Sequence, residues 1–177
     1  FYFINKLKQE VFHDENSVHK EIPVDINRAQ VFLDSYRVLF FKSIKDFTMA
    51  KFNITFQGEQ GVDAGGVKRE WYQIISRQMV NPDYALFVPV HSDASTFHPN
   101  RTSGINPEHL SFFKFIGMLL AKSIRDNCYI DSHFSRAVYK QILGKNVSLK
   151  DMESIDPDYY KSLCWILEND ITDVLEM

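Results

Sequence analysis

The chain has 177 residues, 45% hydrophobic and 14% aromatic, with 15 Phe and 8 Tyr, enough to bury the core of one domain. A net charge of −3, from 20 basic and 23 acidic residues, excludes a global electrostatic footprint for nucleic acid. No apolar run approaches ~20 residues, which excludes a helical membrane span, and the opening FYFINKLKQEVF lacks the apolar stretch of a secretory signal.

In chain order, Ile4, Leu7 and Val11 give residues 1–13 helical spacing. A second helix is predicted from about Arg28, capped by Asp25 or Asn27, with Val31, Ser35, Val38 and Leu39 inward. KFNITFQ (51–57) alternates strictly: Phe52, Ile54 and Phe56 on one face, Asn53, Thr55 and Gln57 on the other. That pattern is a strand with one buried face.

GEQGVDAGGVKREW (58–71) follows at once and invites reading as a phosphate cradle, since Gly61 and Gly66 have the Walker A spacing. Val67 then stands where Lys is required, and Lys68 comes one place late. Glu59 and Asp63 set negative charge where an anion would rest. No G-x-G-x-x-G is present. The segment is instead a strand-to-helix elbow. Asp63 caps the helix, Gly65 and Gly66 let its first turn approach neighbouring backbone, and Arg69 and Glu70 act as ion-pair or hydrogen-bond partners. Val67, Trp71, Ile74, Ile75 and Met79 form the helical stripe that Asn81-Pro82 ends.

Residues 83–105 read as a short β-meander or ordered loop. Asn106, Pro107 and Glu108 open a Phe- and Leu-rich helix to 127, expected to be central and nearly buried, with another element crossing at Gly117. HFSRAVYKQIL (133–143) stops at Gly144, Ser148 and Asp151 form a capping box, and Asp156 caps a last helix over 157–170. The expected class is α+β, mainly α-helical, in a single domain over 1–177.

Cys128 and Cys164 make no metal-ligand pair, six scattered His give no H-E-x-x-H, and G-x-S-x-G is absent. No metal or cofactor is expected. Asn53, Asn100 and Asn146 match N-x-[ST] by chance, and the expected location is intracellular, in nucleus or cytoplasm, with no membrane or nucleic-acid partner.

GEQGVDAGGVKREW, NPDYALF, NPEHLSFFKFIGMLLAKSI, AVYKQILGK and SLCWILEND occur in the order found in HECT-type ubiquitin ligases, and the resemblance runs from Val24 to Ile171. It is that of the large subdomain of the N-lobe. DSYRVL and REWYQIISRQMVNPDYALF most resemble the giant Tom/Mule-type ligases, although INRAQ keeps only Arg28 where the family often has two adjacent arginines.

The resemblance implies a transferase that takes ubiquitin from a conjugating enzyme onto a C-lobe cysteine and passes it to lysines of protein substrates, without cofactor. Neither cysteine here lies in the family's Thr-Cys motif, so no catalytic residue is expected in this chain. The conjugating-enzyme-binding subdomain and the C-lobe are likewise expected to lie outside it, leaving these residues inactive alone. Asn81 and Tyr84 match a region that in some relatives forms a non-covalent ubiquitin exosite, although those relatives carry an aromatic where this chain has Pro89. The alternative reading is a non-catalytic helical interaction module.

Overall fold

A computed structural model describes residues 20–59, 64–91 and 93–169. The expected helix over 1–13 and the Asp63 cap lie outside the described residues. Two six-residue strands, β1 (Glu21–Ile26) and β2 (Lys51–Phe56), lie parallel, from Glu21 opposite Lys51 to Ile26 opposite Phe56. Both alternate exposed and buried positions, so Ile22, Val24 and Ile26 join Phe52, Ile54 and Phe56 on one covered face. β1 does not declare itself in the sequence. Pro23 argues against a strand, and its exposed position on a two-stranded edge is where proline is tolerated.

A parallel pair requires a crossover. It begins with a 3-10 turn over Arg28–Gln30, where the Asn27 side chain accepts from the Ala29 amide at 2.9 Å. Asn27 is therefore the cap, and Asp25 is an exposed strand residue. Helix α1 (Val31–Leu39) follows, then α2 (Ile44–Met49), capped by Ser43. α1 buries Val31, Phe32, Ser35, Tyr36 and Leu39. The expected face omitted its two aromatics, and Val38 is only half-buried. Ser35 is inward because its Oγ accepts from the Trp71 indole at 2.9 Å.

Helix α3 (Ala64–Gln78) packs on β2 and α1 through Trp71, Tyr72 and Ile75, all fully buried. Gly65 and Gly66 lie in its first turn and are exposed, where the sequence suggested close backbone approach. β3 (Phe87–Val90) and β4 (Asp93–Pro99) form an antiparallel hairpin, and β5 (His133–Phe134) adds to β4 in parallel. The expected meander is therefore two strands of a three-stranded sheet.

Helix α4 (His109–Asp126) buries Phe112, Phe115, Ile116, Leu119, Lys122 and Ser123 on one side. It is not sheathed all round: Leu110 is 71% exposed and Ile124 43%. Nor does a described element cross at Gly117, where a Cβ would meet open space. Apolar residues encircle the helix in sequence, and only some of them find a partner surface among the described residues.

The chain continues through α5 (Arg136–Ile142), a 3-10 helix (Leu149–Ser154) and α6 (Pro157–Glu168). Gly144 has φ +64°, a left-handed conformation suited to glycine. Asp156 caps α6 by accepting from the Tyr159 amide at 2.9 Å. The domain is mainly helical, of α+β class. Among the described residues no helix is long and apolar enough to cross a membrane.

Two outcomes test this packing. Leu119 is fully buried, so Leu119→Ala is expected to cost about 2–5 kcal/mol in denaturant unfolding. Asp151 takes the Lys140 ammonium at 2.7 Å and the Ser148 amide at 2.8 Å, with the Lys140 bond the main cause of a carboxyl held at about 2. A carboxyl depressed on folding stabilises fully above its ordinary value and loses that contribution as pH falls toward about 2. Asp151→Asn should therefore melt below the parent at neutral pH, the gap closing through the acid window in thermal scans.

Candidate functional site: the Asn81–Tyr84 turn

The sequence singled out two groups of residues. The structure places them on opposite ends of α3. At its C-terminal end Pro82–Tyr84 form a 3-10 turn, where the Asn81 Oδ1 accepts from the Asp83 amide at 3.1 Å. Ala85 then takes a left-handed conformation, φ 53°, rare for a residue with a Cβ. Two asparagines from other elements hold it. The Asn100 Nδ2 donates to the Ala85 carbonyl at 2.9 Å, and the Asn106 Nδ2 donates to the Tyr84 carbonyl at 2.9 Å.

Tyr84 is half-buried. Its ring lies 5.1 Å from that of Phe32 and 5.9 Å from that of Phe112, tying the turn to α1 and α4. Burial is the largest cause raising its phenol above the ordinary value, and Asp83 adds to it. Pro82 and Asp83 of the turn are exposed, as are Val88 and Pro89 of β3, which follows it. The turn thus holds exposed Pro82 and Asp83 on a backbone pinned from two other elements.

Sequence reasoning missed both asparagine pins. Asn100 was visible only as a chance N-x-T match, and Asn106 only as the cap of α4. Asn106 is not that cap: α4 begins at His109 behind Glu108, and Asn106 accepts from the Glu108 amide at 3.0 Å ahead of the helix while its amide end is spent on the turn.

At the other end of α3, Glu70 accepts from the Arg28 Nη1 at 2.6 Å. The same guanidinium grips Glu59 with Nε and Nη2, both at 2.7 Å, and lies 4.2 Å over the Phe56 ring. These bonds to Glu59 and Glu70 raise the Arg28 pKa, and Arg28 in turn lowers that of Glu59. Arg69 points elsewhere. It lines a cavity of about 330 Å³ with Gln73, Asn127, Cys128 and Tyr129, and has no ion-pair partner among the described residues. Of the elbow residues Glu70 joins the Arg28 clamp, which does not converge with Asn81 and Tyr84.

The Cys128 thiol does not resemble an activated nucleophile. Cys128 is half-buried, and burial is the main cause raising its pKa. Cys164 lies half-buried on α6 beside Tyr160.

The HECT-domain (ubiquitin-transferase) family matches residues 73–177, so the chain belongs to the HECT family. Among relatives, it is 68% identical over 176 residues, 99% of its length, to the E3 ubiquitin-protein ligase TOM1 of Saccharomyces cerevisiae. It is 46% identical over 159 residues, 90% of its length, to the E3 ubiquitin-protein ligase HUWE1 of Mus musculus. With UPL1 of Arabidopsis thaliana the identity is 43% over 176 residues, 99% of this chain. The Tom/Mule type is the one these matches support. The chain spans only 5% of TOM1 and of UPL1 and 4% of HUWE1.

Tyr84→Ala should cost roughly 1–3 kcal/mol in chemical denaturation, below the range for a fully buried aromatic. Tyr84→Phe keeps both ring contacts and should stay within about 0.5 kcal/mol of the parent.

Proposed function

We propose that this chain is the large subdomain of a HECT N-lobe, the scaffold of a ubiquitin-protein ligase. In the intact enzyme, a C-lobe thiolate attacks the thioester of a charged conjugating enzyme. The new thioester forms as the conjugating enzyme's thiolate leaves. A substrate lysine amine then attacks, forming the amide and releasing the C-lobe thiolate. The observation that carries the reading is the family match over residues 73–177. The state of Cys128 supports assigning the nucleophile to another part of the enzyme, since a half-buried thiol with a raised pKa is a poor one.

On this reading Asn81 and Tyr84 belong to a non-covalent ubiquitin exosite. Support comes from the pinned turn and its exposed rim, because scaffolded loops commonly carry binding residues. The missing aromatic at Pro89 makes the predicted contact weak.

Incubated with activating enzyme, charged conjugating enzyme and ubiquitin, the 177-residue chain should form no thiol-sensitive adduct on non-reducing gels. An adduct lost in Cys128→Ser or Cys164→Ser would sink the scaffold assignment. Ubiquitin titrated into labelled protein should shift signals within Asn81–Val90, and Pro89→Tyr should tighten binding. An absence of shifts at high ubiquitin concentration rejects the exosite and leaves the ligase reading standing.

A further inference from the structure

Arg69 is an elbow residue that the Arg28 clamp leaves out. It lies on the exposed side of α3, one turn before Gln73, and both side chains meet the loop after α4 across the cavity of about 330 Å³. A second cavity, of about 340 Å³, shares Asn127, Cys128 and Tyr129 of that loop with the first. Its chemistry differs: Leu120, Ile124, Ile130, Phe134 and Ile142 give it an apolar lining between α4 and α5. A polar lobe and an apolar lobe thus have one wall in common.

That wall is held at both ends. Asn127 ends α4 in a left-handed conformation, φ 55°, and the Cys128 amide donates to the Ser123 carbonyl at 2.9 Å. Beyond Tyr129 the loop is tied to α3. The Asp131 amide donates to the Ser76 Oγ at 3.1 Å, and the Ser132 hydroxyl donates to the Ser76 carbonyl. Tyr129 is nevertheless 86% exposed, and Ile142 in the apolar lobe is 61% exposed. An aromatic standing in solvent on a fixed backbone, beside open apolar side chains, has the form of an interface anchor.

Charge identifies the occupant. The acids of the loop and of the helix end before it are already engaged. Asp126 takes the Lys122 ammonium at 2.9 Å and the Tyr72 hydroxyl at 3.1 Å, and Asp131 takes the Arg77 Nε at 2.8 Å. Among the described residues the Arg69 guanidinium meets no carboxylate, and the side-chain amides of Gln73 and Asn127 have no hydrogen-bond partner. A carboxylate beside Arg69 and peptide groups beside the two amides satisfy all three, which a purely apolar ligand leaves unmet.

We propose that this two-lobed cleft docks an extended peptide segment of a partner protein, with a bulky apolar side chain between α4 and α5 and an adjacent acidic side chain on Arg69. Tyr129 packs between the two, and Gln73 and Asn127 hydrogen-bond the peptide backbone. Successive side chains of an extended peptide point to opposite sides, so an acid directly after the apolar residue reaches across the shared wall. None of these residues belongs to the Asn81–Tyr84 turn, and the two surfaces are tested separately.

The probe is a fluorescein-labelled, amidated glycine–serine peptide carrying a leucine followed directly by a glutamate, titrated with the 177-residue chain and read by fluorescence anisotropy. Saturable binding is expected. Replacing the probe's leucine by alanine should weaken it at least about tenfold, as should Tyr129→Ala. The deciding measurement is a cycle. Replacing the probe's glutamate by glutamine should weaken binding to the parent about three- to fivefold, the scale of an exposed ion pair, and should leave binding to Arg69→Gln unchanged. Should either variant fail to fold, Ile142→Asp at its exposed position decides, with loss of binding expected. Binding that never saturates, an equal penalty for the glutamine probe in parent and Arg69→Gln, or affinity unaltered by Tyr129→Ala overturns the proposal. So does self-association of the chain that Tyr129→Ala abolishes, which assigns the cleft to a second copy.

Discussion

Phe32 is the contact on which the arrangement depends. Its ring, fully buried near the start of α1, meets Tyr84 at 5.1 Å, Phe112 at 5.4 Å and Phe115 at 5.8 Å. One side chain therefore sets the crossover helix, the Asn81–Tyr84 turn and the long α4 helix against one another. Tyr36 repeats the contact one turn later, 4.7 Å from Phe112 and 5.5 Å from Phe115. Tilted and edge-on aromatic pairs of this kind add direction to burial, which area alone lacks. The turn inherits its position from this cluster.

That dependence separates two things a surface tyrosine can do. One face of the Tyr84 ring is committed to the core, and the carbonyls of Tyr84 and Ala85 are taken by Asn106 and Asn100. What remains for a partner is the exposed part of the Tyr84 ring with neighbouring Pro82 and Asp83. A binding surface fixed in this way loses little conformational entropy on association, which lets even a small contact register.

What was legible in the sequence is what depends on periodicity. The alternation of Phe52, Ile54 and Phe56 marked β2, and the Trp71–Ile75 stripe marked α3. Local caps were legible too, since Asp156 and the Ser148–Asp151 box act within four residues of themselves. β1 was not, because Glu21, Pro23 and Asp25 read as polar and breaking until β2, thirty residues on, supplies a parallel partner. The Arg28 clamp joins residues 31 and 42 positions apart, beyond any local pattern. Lys122 left one unused signal. It falls in phase with Phe115 and Leu119 on the buried face of α4, and Asp126 follows one turn later as its partner. A lysine on an apolar stripe with an acid at i+4 is a candidate buried pair.

The two cationic features of the fold solve the same problem at opposite ends of β2. A two-stranded pair is marginal on its own, and among the described residues no further strand shares its ladder. At the C-terminal end, Arg28 lies over Phe56 and draws Glu59 and Glu70 together. Toward the N-terminal end, the Lys122 ammonium lies 4.9 Å from the Phe52 ring and holds the Thr48 and Ala50 carbonyls. Each cation thus touches a core-facing ring of β2 and a polar group of a different element. They differ in solvation: Arg28 works in water, where its planar fork organises two carboxylates, whereas Lys122 is sealed and must be neutralised within the protein. Asp126 supplies that neutralisation, and Lys68, 3.6 Å away, shares its charge. The exposed clamp balances itself with two acids for one arginine, and the buried one sets Lys122 and Lys68 against the single Asp126 carboxylate.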